Sequence, residues 1–296
     1  GLSDTVLVTL QGGSSLLGID HKIHCAVPFA IAAPRREITL AALLLPTDVT
    51  FAYEGPGFIA DHFPGVLMRT QHFGMTGHTL DKNTYMSALA HLWDAALALQ
   101  PFSSISVVGV ACTSLSAIIG PARLQEDFTS KCLSNGNASS PILVDMFSSL
   151  LQGLQSVGAK RIALFTPYTE TMHKSVVKSL KENGVSVVCE DCLGHDEDAE
   201  IARIPRHEIV QSVLAMVSNA SATAETTRED SAIETPDAVV ICASALRVFH
   251  RDTIVYLERM IGLPVLTSTQ CFLWHSLRVA GVWDTVHGYG TLFKDH

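Results

Sequence analysis

Val107-Val108-Gly109-Val110-Ala111-Cys112-Thr113-Ser114-Leu115-Ser116 decides how this chain is read. Its first half is a short, continuous apolar run, the mark of a strand covered on both faces in a parallel sheet. The run stops at a cysteine followed by two hydroxyl residues. In open α/β sheets ligands lie outside the carboxyl ends of the strands, so a thiol there is placed for chemistry on a small substrate. The phrase returns as Asp237-Ala238-Val239-Val240-Ile241-Cys242-Ala243-Ser244-Ala245-Leu246. Two apolar strands ending in Cys-x-Ser describe a duplicated architecture with one cysteine from each half. A single such cysteine would be ordinary packing, since free Cys is among the most buried residue types; the repeat is what argues for function.

Outward from these two phrases, strands alternate with helices, which predicts mainly parallel sheets. Upstream, residues 1–20 read as a loose leader and His24 to Ile31 as a first strand. Arg35 to Leu45 reads as a helix closed by Pro46, and Asp48 to Tyr53 as a second strand meeting the turn Glu54-Gly55-Pro56-Gly57. Residues 54–80, rich in Gly, His and Phe, read as a long loop of the kind that often forms a lid. Lys82 to Gln100 is an amphipathic helix stopped by Pro101. Gly120-Pro121 and the soft run Ser134 to Ser140 mark a crossing between domains. Beyond it the pattern gives a helix at Pro141 to Val157, a strand at Arg161 to Thr166, a helix at Glu170 to Glu182 and a strand at Val185 to Cys189. Residues 190–204 read as acidic surface loop, Pro205 to Asn219 as a helix, and 220–236 as a solvated insertion. After the Cys242 strand come a helix at Arg251 to Ile261, a strand at Pro264 to Ser268 and a helix at Gln270 to Ala280.

The formal net charge of −9 argues against nucleic acid, which rewards basic patches. No run of about 18 apolar residues is present, so no membrane span is expected, and the first residues lack the order of a signal peptide. Seven cysteines at irregular spacing do not form a disulfide framework. A reducing, cytoplasmic setting is expected, where thiols stay free. Cys189-x-x-Cys192-x-x-His195 has zinc-like spacing but lacks a fourth ligand, so surface loop is preferred. His62, His72 and His78 share the long loop and read as lid lining or plain surface. Gly55-Pro56-Gly57 is too short for a dinucleotide fingerprint.

Taken in order, several pieces resemble one known superfamily. They are Cys112-Thr113-Ser114-Leu115-Ser116, Arg161-Ile162-Ala163-Leu164-Phe165-Thr166-Pro167-Tyr168, Cys242-Ala243-Ser244, Gly262 to Ser268, Leu273 to Gly281, and Gly288 to Phe293. The chain resembles the aspartate/glutamate racemases, especially the maleate isomerase and arylmalonate decarboxylase branches, over about residues 24–296. The resemblance implies an α/β fold of two pseudo-symmetric, doubly wound domains with mainly parallel sheets. It places the active site in the cleft between them, and it implies no cofactor and no metal. It also implies that the C-terminal strand and helix return to the first domain. That return gives 20–140 plus 265–296 as one domain and 141–264 as the other. In racemases and isomerases of this kind both strand-end cysteines are present; in the decarboxylases the first is typically glycine. Cys112 therefore points toward isomerase or racemase chemistry. The turn Ala32-Ala33-Pro34-Arg35-Arg36 departs from the Pro-Ser-Ser-Asn turn common in maleate isomerases.

The residues themselves support such chemistry. Two thiols on opposite faces of a carbon permit a two-base racemisation, one sulfur taking the α-proton and the other returning one. Charge then moves onto the carboxylate, which needs preorganised donors. Thr113, Ser114, Tyr168, Ala243 and Ser244 are the candidates to bind it, beside Cys112 and Cys242 as the catalytic pair. The same set permits cis–trans isomerisation through thiolate addition to a double bond. Three of the binding candidates also have an ordinary reading: a packed Pro-Tyr turn for Tyr168, helix N-caps for Ser114 and Ser244. Cys271 reads as packing, and Cys25 and Cys132 show no partner. The expected partner is a small carboxylate or dicarboxylate, with neither nucleic acid nor membrane; a homo-oligomer stays open. The alternatives are a cofactor-free decarboxylase using Cys242 alone and a non-catalytic small-acid binding protein.

Overall fold

In the computed structural model, residues 38–75, 81–99, 101–136, 141–226 and 235–296 are described. The first half runs β1 (Ile38–Leu44), α1 (Val49–His62), β2 (Val66–His72), α2 (Lys82–Leu97), β3 (Val107–Val110), α3 (Thr113–Ile119), α4 (Pro121–Ser134), β4 (Ile142–Asp145) and α5 (Met146–Ser156). The second runs β5 (Arg161–Tyr168), α6 (Glu170–Glu182), β6 (Ser186–His195), α7 (Asp198–Ile201), α8 (Arg206–Thr226), β7 (Ala238–Ile241), α9 (Thr253–Ile261), β8 (Val265–Thr267), α10 (Ser268–Val279) and α11 (Gly290–Asp295). The sheets have orders β2-β1-β3-β4 and β6-β5-β7-β8, and every pairing is parallel. One topology is thus used twice, and β3 and β7 hold the same place in it.

Burial explains the strand sequences. The central strands β3 and β7 are buried at every position, and β1 and β5 at all but the first. Covered on both faces, they carry continuous apolar runs rather than alternation. The outer strands β2 and β6 are half-exposed and carry Arg69, Gln71, Glu190 and Asp191.

Several expectations change. Ile38 to Leu44 is strand β1, not helix: its Ala/Leu composition favours helix, but a place between β2 and β3 outweighs propensity. Asp48 to Tyr53 and the Gly-Pro-Gly turn are helix α1. Asp48 caps it by accepting from the Phe51 amide at 2.9 Å, and Gly55 leaves room for the Phe51 ring. The expected loop at 54–80 therefore holds the end of α1 and all of β2; His62 stacks with Phe58 and Tyr289, and His72 ends β2. Residues 121–134 form helix α4, and residues 142–145 are strand rather than helix. The acidic stretch after 189 continues β6 and then forms α7. The leader, the strand expected at 24–31, the turn at 32–36 and His78 lie outside the described residues, as does 227–234 of the expected insertion.

The expected domain boundaries fall beside two strands whose pairing is now fixed. β4 pairs with β3 in the first sheet, and β8 pairs with β7 in the second, so the C-terminal strand does not return to the first half. Helix α10 does cross over. Its Phe272 ring lies on Gly109 of β3, where an added Cβ would meet it at 2.2 Å, and Cys271 packs on Gly153 of α5. Among the described residues no helix is long and apolar enough to cross a membrane.

Candidate active site

The turn after β3 puts Cys112 at the N-cap position of α3, in extended backbone. Its sulfur lies 3.7 Å from Ser114 Oγ. Ser114 Oγ is also 2.6 Å from the Tyr85 hydroxyl on α2, and its hydrogen bonding tempers the Tyr168 phenol at the end of β5. Thr113 Oγ1 is buried with no hydrogen-bond partner among the described residues. A buried hydroxyl left unpaired is costly, and here it adjoins a thiol.

The turn after β7 is built differently. The Cys242 amide donates to the Phe165 carbonyl at 3.0 Å, extending the sheet by one residue. Ala243 then takes φ 95°, a region that disfavours any side chain. Its amide donates to Ser268 Oγ, the first residue of α10, at 3.3 Å. Ser268 also favours the charged form of Cys242. Ser244 lies close enough to Asp48 to favour the carboxylate, although no hydrogen bond of ordinary geometry reaches Asp48 Oδ2.

These turns meet. Burial pushes the Tyr168 phenol well up, and next in weight come Cys242 and then Cys112, so one hydroxyl feels both thiols. Burial likewise pushes both thiols up to about 12. Cys112 is further disfavoured as thiolate by Asp198 and Asp48, whereas Leu115 N–H and Ser114 favour it. Asp48 is itself pushed up to about 7 by burial and by Asp198. Burial also raises Asp198, which accepts from Thr47 at 2.7 Å. The site is thus a dry pair of thiols and hydroxyls, with two reluctant carboxylates to one side.

Of the sequence candidates, Cys112, Ser114, Tyr168 and Cys242 come together, with Thr113, Ala243 and Ser244 on the same two turns. Tyr85, Asp48, Asp198 and Ser268 escaped the sequence reading. Tyr85 looked like any buried aromatic on a helix, and Asp48 was hidden by reading its segment as strand. The turn after the first described strand is Pro46-Thr47-Asp48-Val49, and it meets the second half through Thr47, which donates to Asp198 at 2.7 Å, and through Thr50 at the start of α1, which donates to the Ala245 carbonyl at 2.8 Å. Cys189 and Cys192 lie on β6, with Cys189 directed at the Met216 carbonyl and His195 at Glu200. Among the described residues no group of three or more His, Cys, Asp or Glu is placed to hold a metal ion.

Comparison with known proteins fits this geometry. The arylmalonate decarboxylase of Bordetella bronchiseptica is 26% identical over 258 residues, covering 86% of this chain and 93% of the relative. The maleate isomerase of Nocardia farcinica is 22% identical over 255 residues, covering 85% and 94%. A mutant of the Nocardia farcinica maleate cis-trans isomerase with a covalently bound succinylcysteine intermediate superposes with a TM-score of 0.70 at 21% identity, covering 88% of this chain and 99% of that one. A liganded mutant of arylmalonate decarboxylase gives 0.69 at 23% identity, covering 88% and 100%. The family described as arylmalonate decarboxylase matches residues 56–293, most of the chain, and the chain belongs to that family.

Proposed function

We propose that this chain is a cofactor-independent isomerase of a small carboxylate or dicarboxylate, working with Cys112 and Cys242. The observation that carries the reading is one buried cysteine at the end of each of two equivalent strands, Cys112 after β3 and Cys242 after β7. In cis–trans isomerisation one sulfur adds to an olefinic carbon as the other delivers a proton to its neighbour. The single bond of the saturated adduct turns. The second sulfur then takes the proton back, and the C–S bond breaks with its electron pair returning to the first. In racemisation one thiolate removes the α-proton and the other thiol supplies one from the far face. Both routes place negative charge on the carboxylate, where Tyr168, Ser114, Thr113 and the Ser244 amide are the donors, while the Ala243 amide is held by Ser268 Oγ. Burial opposes the thiolate at both cysteines, so Ser114 beside Cys112 and Ser268 beside Cys242 carry part of its stabilisation. Free thiols in this role suit a reducing compartment such as the cytoplasm.

The competing reading is decarboxylation by Cys242 alone. It is favoured by the Bordetella bronchiseptica relative and opposed by the cysteine at position 112. An NMR screen of small carboxylic acids in heavy water, also following maleate into fumarate, tests both. The isomerase is expected to exchange an α-proton or convert maleate, and Cys112→Ala with Cys242→Ala should abolish this. Full activity in that double variant would end the two-thiol reading. Carbon dioxide release that survives Cys112→Gly but not Cys242→Ala would establish the decarboxylase instead.

A further inference from the structure

A second recess opens beside the thiol site and has no part in the chemistry above. It has a volume of about 800 Å³ and is walled by α1, by the turn from α7 to α8, and by the segment after β7. Three arginines line it: Arg203 and Arg206 from the α7–α8 side and Arg247 from the β7 side. None makes an ion pair with a carboxylate among the described residues. Arg206 is held through Nε, which donates to the Arg247 carbonyl at 3.2 Å. Glu54 lines the recess too, its Oε2 buried with no hydrogen-bond partner among the described residues. Phe58, Phe249 and Tyr289 also line it, Phe58 meeting the other two rings edge to face and Phe249 tilted against Tyr289, at ring separations of 4.7 to 5.0 Å.

We propose that this recess is an anion-binding site, taking a phosphate- or carboxylate-bearing ligand on Arg206 and Arg247, separate from the carboxylate that reacts at the thiols. In a chain of net charge −9, a cleft lined by three arginines against two carboxyl groups, Glu54 and Asp61, is a local reversal of sign. Guanidinium groups are suited to such anions because they donate in pairs to two oxygens. Burial pushes Glu54 up to about 8, a rise that Arg206 and Arg247 only partly offset and Asp48 adds to. At neutral pH Glu54 therefore stands mostly protonated, competes little for the arginines, and offers an O–H to a bound anion. The groups facing it are Arg206 from α8, Arg247 and His250 from the β7 segment, Arg203, Asp48 and Asp61 on its own helix side, and Tyr289, whose phenol it helps to raise.

Calorimetry on the full chain at pH 7 tests this with two probes, inorganic phosphate and citrate, against sodium chloride of equal ionic strength. Binding of at least one probe is expected, to weaken about tenfold or more in Arg206→Ala with Arg247→Ala. Which probe binds more tightly tells a phosphate-bearing ligand from a polycarboxylate. The binding should survive Cys112→Ser with Cys242→Ser, which separates it from the thiol site. Between pH 7 and pH 9 Glu54 ionises and takes the arginines for itself. The affinity of the natural chain should then fall about fivefold to tenfold relative to Glu54→Gln, a comparison that cancels the probe's own titration. Heat no greater than with chloride, binding unchanged in the arginine variant, loss in the cysteine variant, or a constant ratio to Glu54→Gln across this pH range would each overturn the proposal.

Discussion

At Ser114 three side chains share one oxygen: the Cys112 sulfur at 3.7 Å, the Tyr85 hydroxyl at 2.6 Å, and the Tyr168 phenol beyond. The Tyr168 phenol is buried at the end of β5 and coupled electrostatically to both thiols, so it is the candidate to meet developing charge, whereas Tyr85 acts through Ser114 as a positioning residue. Tyr168→Phe should therefore lower kcat by about a hundredfold, the usual scale for one oxyanion donor. Tyr85→Phe should lower it by roughly tenfold with KM little changed, and should add little in a chain already carrying Ser114→Ala. Steady-state kinetics of the four chains checks this; fully additive losses would mean that Tyr85 touches the substrate itself. Ala243 makes a different prediction. A non-glycine residue at such a positive φ costs on the order of 1–3 kcal/mol, and glycine returns part of the gain as chain entropy. Ala243→Gly should then stabilise the fold by about 1 kcal/mol in urea denaturation, and a loss of stability would show that the Ala243 methyl group matters more than its backbone.

At the scale of elements, contact between helix α10 and strand β3 ties the second half to the first. Gly109 is the point of closest approach, because a Cβ there would meet the Phe272 ring at 2.2 Å. Gly109→Ala should destabilise the fold by roughly 2–3 kcal/mol through overpacking. Phe272→Leu should recover part of that loss in the double variant although it costs stability by itself, and a simple sum of the two effects in denaturant titrations would mean the contact is not shared. This contact also shows what the sequence conceals. The apolar runs ending at Cys112 and Cys242 announce their strands because each is covered on both faces, and the helices at 82–97 and 170–182 announce themselves by period. Strands β1 and β4 do not: β1 is built from Ala and Leu, which suit a helix equally, and β4 is four residues run directly into α5. Whether such a segment extends depends on the neighbour it pairs with, which is non-local. The same limit hid Asp48, Asp198 and Tyr85, whose roles come from elements far away in the chain. The cysteines were legible because strand-end chemistry is local.

Across the whole molecule, the carboxylates between the two halves should make stability depend on pH in an unusual direction. Asp48, Glu54 and Asp198 all have raised folded-state values, with Asp48 at about 7 and Glu54 at about 8, against ordinary values of 3.8 and 4.5 for an Asp and a Glu. A raised carboxylate binds its proton more tightly folded than unfolded. Its contribution is fully present below the unfolded value and is lost as pH rises through the folded one. Stability from these groups should therefore decline between about pH 4 and pH 8. Asp237 works oppositely, since bonds from Arg161 and the Lys160 amide hold it low, but it is partly exposed and matters only in acid. Asp48→Asn isolates the effect, because asparagine caps a helix about as well as aspartate and cannot ionise. At pH 5 the variant should match the natural chain within about 1 kcal/mol; at pH 8 it should be more stable by on the order of 2 kcal/mol, from the charge no longer buried beside Asp198. Urea titrations at the two pH values measure the difference. Equal stability changes at both would mean that Asp48 keeps an ordinary affinity for its proton and that water reaches the turn between β1 and α1.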